Sequence, residues 1–144
     1  MTMKNILLIA ALCVSIGLQA QTKIAISNVS LTEKEVVTTG TDATLQLNKD
    51  EGSSRQVIFA GGDTQVKLWA KVSTHNVRRS SLKDSAVNVI FEIDMNAGKD
   101  RDNKRVEKIF YLDQSRTGTV TQRFNFKDGI TMRGITLKFD VEIK

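Results

Sequence analysis

Proline is absent from all 144 residues, and cysteine, histidine, tryptophan and tyrosine occur once each. A lone cysteine, Cys13, forms no intrachain disulfide and no thiolate cage for a metal, so the fold rests on its core alone. The one histidine, His75, lacks the partners of a His-based zinc site. No Ser-His-Asp arrangement is set by the spacing around it, and it reads as a loop residue. The missing proline has a structural consequence too. Proline commonly blunts the edges of sheets, so edges here must be guarded by charge, by bulges or by a partner strand. Lys- and Glu-bearing "LKFDVEIK" is a candidate for an edge guarded by charge.

Long apolar runs are equally scarce. The one present spans Ile6 to Leu18, follows a single Lys4 and ends in Leu18-Gln19-Ala20. That order is the layout of a secretory signal peptide, and the run is shorter than the roughly 18 to 20 residues of a membrane-crossing helix. Residues 1–20 are therefore read as a leader cleaved after Ala20, and 21–144 as one exported domain, periplasmic or secreted. Cys13 follows Leu12 inside the apolar run and does not fit a lipid-acceptor motif. Removing Lys4 takes one unit from the formal net charge of +5. The remaining positive balance is too small to imply nucleic acid.

What the chain has in abundance is alternation. "TQVKLWAKV" places Val66, Leu68, Ala70 and Val72 on one face; "AVNVIFEIDM" does so with Val87, Val89, Phe91, Ile93 and Met95. "ITLKFDVEI" repeats the pattern with Ile135, Leu137, Phe139, Val141 and Ile143. Shorter runs, "KIAIS", "ATLQL", "RQVIF", "EKIFYL" and "TVTQRFNF", are separated by Gly-, Asn-, Asp- and Ser-rich turns, and no helical stripe competes. Seven to nine such strands predict an all-β chain: one antiparallel β-sandwich of immunoglobulin-like type, with a small closed barrel as the alternative. In "FNFKDGITM" a three-residue Lys127-Asp128-Gly129 loop would pair Phe126 with Ile130 and Phe124 with Met132 on one face. The apolar phase then jumps at Gly134-Ile135, which calls for a β-bulge there.

Candidate chemistry is sparse. "IDMNAGKDRDNKRVEKIF" sets Asp94, Asn96, Gly98, Asp100 and Asp102 at alternate positions, which raises the question of a calcium loop. Counted from Asp94, however, position six is Lys99 and position twelve is Arg105, where an EF-hand needs Gly and a bidentate Glu. The stretch reads as a charged hairpin loop, with no metal or other cofactor implied. Trp69 alternates out of phase with the apolar face and shares its own face with Lys67 and Lys71; Tyr111 is similarly out of phase. An aromatic flanked by cations can anchor a protein contact or stack on an acidic sugar. Basic residues gather in two stretches: Arg78, Arg79 and Lys83, and then Lys99, Arg101, Lys104 and Arg105. If both lie at one end they form a patch for an acidic partner.

No two carboxylates are paired by the sequence as glycoside hydrolysis would need. The expectation is therefore a non-catalytic exported domain, an accessory, adhesion-like or assembly subunit that contacts another envelope or extracellular protein. A glycan-binding module using Trp69, Tyr111 and the loop cations is the alternative, and a small enzyme such as a glycosidase comes third.

Overall fold

The structure, a computed structural model, describes residues 22–47, 52–73, 86–112 and 114–144. The leader read at 1–20, Cys13, His75, Arg78, Arg79 and Lys83 lie outside the described residues. Nine strands follow in chain order: β1 (Lys23–Glu33), β2 (Val36–Thr39), β3 (Ala43–Gln46), β4 (Gln56–Gly61), β5 (Thr64–Val72), β6 (Ala86–Ala97), β7 (Asp100–Tyr111), β8 (Thr117–Asp128) and β9 (Thr131–Ile143). They form two antiparallel sheets, one ordered β2-β1-β9-β8 with β3 also pairing β1, the other β4-β5-β6-β7. The sheets pack as an open sandwich and do not close into a barrel.

The core is the set of inward side chains that alternation selects. Val66, Leu68 and Ala70 of β5 face inward with Phe91, Ile93 and Met95 of β6, opposite Ile135, Leu137 and Phe139 of β9. The Phe91 ring meets Phe139 of the other sheet edge to face, centroids 5.8 Å apart at 71°, a favoured aromatic geometry. Val72, on the same alternation, runs past the core and is exposed.

Strand β1 changes phase: Ile24 and Ile26 are buried, then Val29 and Leu31. Its register against β9 shifts between Ser27 and Ser30, where Asn28 takes a left-handed φ of 50°. One inserted residue keeps both halves of the strand facing the core. A second shift, between Val57 and Phe59 against β5, buries the consecutive Ile58 and Phe59.

The β8–β9 hairpin corrects the sequence reading. Asp128 pairs with Thr131, Phe126 with Arg133 and Phe124 with Ile135, one continuous register with no bulge at Gly134. The loop is two residues, Gly129-Ile130, with Gly129 at φ 65° in the first central position, which a type II′ turn favours. This register keeps twelve pairs in phase, buries Phe124 and Phe126, and turns Ile130 and Met132 outward to solvent. It also turns Arg133 inward. Strand β9, expected as a charged edge, is instead an inner strand between β1 and β8.

Candidate functional site

Four two-residue hairpin turns meet at one end of the sandwich: Lys34-Glu35, Gly62-Asp63, Gly98-Lys99 and Gly129-Ile130. Three begin with a glycine at positive φ. In the fourth, Lys34 and Glu35 both adopt left-handed φ, 48° and 66°, the type I′ shape that Asn-Gly fills with least strain. Gly98 N–H donates to the Asp63 carbonyl at 2.8 Å, tying two of these turns together.

Arg133 organises this end. Its Nη1 and Nη2 donate to Asp63 Oδ2 and Oδ1 at 2.8 and 2.9 Å, while Nε and Nη2 donate to Glu33 Oε1 and Oε2. Glu33 belongs to one sheet and Asp63 to a turn of the other, so a single planar guanidinium ties the two sheets by paired, charge-assisted bonds. Hydrogen bonds from Arg133, and then from the Thr64 hydroxyl, pull the Asp63 carboxyl down to about 2. The hydrogen bonds to Arg133 also hold Glu33 below the usual carboxylate range, and the two carboxylates raise the guanidinium in return.

Two grooves open beside this clamp. The larger, about 620 Å³, lies among the turns and carries both signs of charge, with Lys34, Lys99 and Lys127 facing Asp100 and Asp128. The second, about 440 Å³, runs between the sheets over Leu31, Phe59 and Ile135, with Val36 and Thr38 of β2 as one wall. Val36 lines the second groove and Met132 the first, and with their chain neighbours Val37 and Ile130 they are large apolar side chains each more than half exposed.

The residues singled out in the sequence lie elsewhere. Trp69 sits on the outer face of its sheet with Lys67 and Lys71, and Lys71 Nζ lies 5.8 Å from the ring centroid, within cation–π range. The ring is half-buried. Gly52 lies so close to it that an added Cβ would come within 2.8 Å of the ring, and Ser53 pairs with the Ala70 backbone beside it. Ile90, the cross-strand neighbour of Lys71, is buried on that same outer face, so this face is covered over part of its area. Tyr111 is not brought to Trp69. The cross-strand row from Trp69 runs through Glu92 to Arg105, six residues from Tyr111 along β7, roughly 20 Å at strand rise.

The stretch 94–105 is not a loop. Strands β6 and β7 pair without interruption up to Ala97 and Asp100, leaving Gly98-Lys99 as the whole turn. Pleating divides its oxygen-bearing side chains: Asp94 and Asn96 point to the outer face, and Asp100 and Asp102 are in phase with the inner one. Asp94, 5% exposed, is held bidentately by Arg101, Nε–Oδ1 and Nη2–Oδ2 both 2.8 Å. Lys104 meets Asp102 at 3.3 Å and Arg105 meets Glu107 at 3.3 Å. The cations expected in a basic loop are therefore Lys99 in the turn and Arg101, Lys104 and Arg105 along a strand, the last three each beside a carboxylate. Strand β5 ends at Val72 and β6 begins at Ala86; Arg78, Arg79 and Lys83, the other basic stretch, fall between them and outside the described residues.

The groups that gather at the turn end, Glu33, Asp63 and Arg133, are far apart in sequence. The signal present was the glycine that opens three of the turns; read as first central residues of two-residue loops, these glycines would have fixed the register that aims Arg133 inward. The chain matches no family model, no curated protein and no solved structure.

Proposed function

We propose that this chain is an exported, non-catalytic binding domain that contacts another protein at the cell envelope or outside it, through the end of the sandwich where the hairpin turns meet. The supporting observation is that exposed Val36 and Met132 line the two grooves, with exposed Val37 and Ile130 next to them in the chain, on a frame clamped by Arg133. Apolar side chains grouped on a surface and rimmed by charge are the usual mark of a protein contact. Holding Ile130 and Met132 on a tight turn limits the entropy lost when they are covered. A glycan reading centred on Trp69 has less in its favour, because Gly52 and Lys71 already occupy space about the ring and Tyr111 is distant.

The test is photo-crosslinking in the producing cells, with p-benzoylphenylalanine in place of Met132. A discrete protein adduct, lost when Ile130→Asp is added, supports the reading. Adducts to carbohydrate alone, or none, refute it.

A further inference from the structure

The sandwich has two lateral sides, and its edge strands are defended unequally. On one side β7 carries seven charged residues in twelve, and Asp102 Oδ1 accepts the Asn103 N–H at 2.9 Å. Beside it, the Lys108 side chain lies over Gly118 and donates to the Thr119 carbonyl of β8 at 2.9 Å. On the other side, β4 is bulged, and its Ile58 carbonyl is taken by Thr41 N–H at 2.8 Å. The short β3, whose Leu45 is buried, also pairs only with β1, and β2 lacks such a device among the described residues. Strand β2 reads Val-Val-Thr-Thr, all four residues exposed, and among the described residues no strand pairs with the side of β2 away from β1. From Val36 to Leu47 the one charged residue is Asp42. An uncharged, β-branched, unbulged edge is a template for another strand.

The groove beside it indicates what that strand carries. Val36 and Thr38 form its wall, and buried Leu31, Phe59 and Ile135 its floor, so a strand added to β2 would direct every second side chain over an apolar surface. The charged groups lining it, Glu33, Lys34, Asp63 and Arg133, sum to zero, and three of them are engaged with one another. A charged segment therefore gains nothing there. A second copy of this chain fits less well: four residues per chain pairing across a two-fold axis fall far short of the roughly 800 Å² per partner of a stable dimer.

We propose that β2 accepts an extended, uncharged segment of the partner protein as an additional strand, with alternate apolar side chains entering the groove over Leu31, Phe59 and Ile135. This rests on the reading of the chain as a protein-binding domain and names how the partner is held.

The experiment is an NMR titration of the folded protein with capped octapeptides alternating Thr with Val, Ile, Leu or Phe. At least one should shift the amides of Val36–Thr39, Leu31, Phe59 and Ile135 saturably. Val36→Lys, at an exposed position, and Thr38→Lys should each weaken that binding at least tenfold, and Arg105→Ala should leave it unchanged. The proposal is overturned if no peptide shifts β2, or if shifts centre on β7 or Trp69. It is also overturned by a protein dimer that Val36→Lys abolishes and the peptides do not dissociate, which would assign β2 to a second copy. If crosslinking from Met132 gives a protein adduct while the peptides leave β2 untouched, the binding reading stands and strand addition falls.

Discussion

The two lateral sides of this sandwich are built from the same kind of element and finished in opposite ways. Along β7 and β8, side chains close the edge: Arg101 on Asp94, Lys104 on Asp102, Lys108 on the Thr119 carbonyl. Along β2 and β4 the closure is made by backbone instead, where Gly40 and Thr41 cross from one sheet to the other. Gly40 N–H donates to Val29 O at 2.7 Å and Thr41 N–H to Ile58 O at 2.8 Å, and among the described residues no strand pairs with the outer side of β2 beside the crossing. The lesson is that a proline-free sandwich can guard one side with charge and keep the other neutral. Charge repels an incoming strand, and neutrality admits one.

Two glycines separate these finishes most sharply. A Cβ at Gly40 would stand 2.3 Å from Ile58 O and 2.6 Å from Val29 Cγ1, whereas a Cβ at Gly118 would stand 2.4 Å from Lys108 Cε. The first obstacle is paired backbone and buried core; the second is a flexible side chain that can swing aside. Gly40→Ala should therefore cost about 3 kcal/mol by overpacking and Gly118→Ala less than about 1 kcal/mol, read from denaturant midpoints. Equal costs would break the comparison.

Next in size is the clamp between the sheets. Arg133→Ala removes charge-assisted hydrogen bonds to Glu33 and Asp63, and should cost about 1–2 kcal/mol, since both carboxylates keep access to water. The pH dependence follows from Asp63, whose carboxyl is held at about 2 by its hydrogen bonds from Arg133 and Thr64. A depressed carboxyl contributes fully above its unfolded value of roughly 4, and the contribution is lost as pH falls through about 2. Wild-type stability should drop across that window, and the Arg133→Ala variant should drop less steeply there.

A smaller effect, of opposite sign, is expected at the turn that launches β2. Lys34 and Glu35 both sit at positive φ, so Lys34→Asn with Glu35→Gly should stabilise the protein by about 1 kcal/mol in a thermal or denaturant melt. The smallest expected change in stability is for Val37→Lys, within about 0.5 kcal/mol because the side chain is 64% exposed. Its predicted effect is on binding alone.

Strand identity was legible in the sequence wherever alternation was long. Thr64–Val72 matches its predicted bounds, and the inward sets of β5, β6 and β9 are those that period two selects, apart from Val72. Register was less legible. The Gly129 turn accommodates loops of two or three residues, and only packing of the whole hairpin against the other sheet decides between them. The site was largely hidden for the same reason: Arg133 faces inward in one register and outward in the other, and Glu33 and Asp63 carry no motif. Charges in 99–108 suggested a loop because composition does not reveal that Asp94 and Arg101 pair across two adjacent strands.

The central claim is that partners are taken on the neutral side and refused on the charged one. Its most direct test is a pair of photo-crosslinking variants in the producing cells, p-benzoylphenylalanine replacing Val37 on β2 in one and Asn103 on β7 in the other. A protein adduct from position 37 and none from 103 is the predicted result. An adduct from 103 with none from 37 would contradict it.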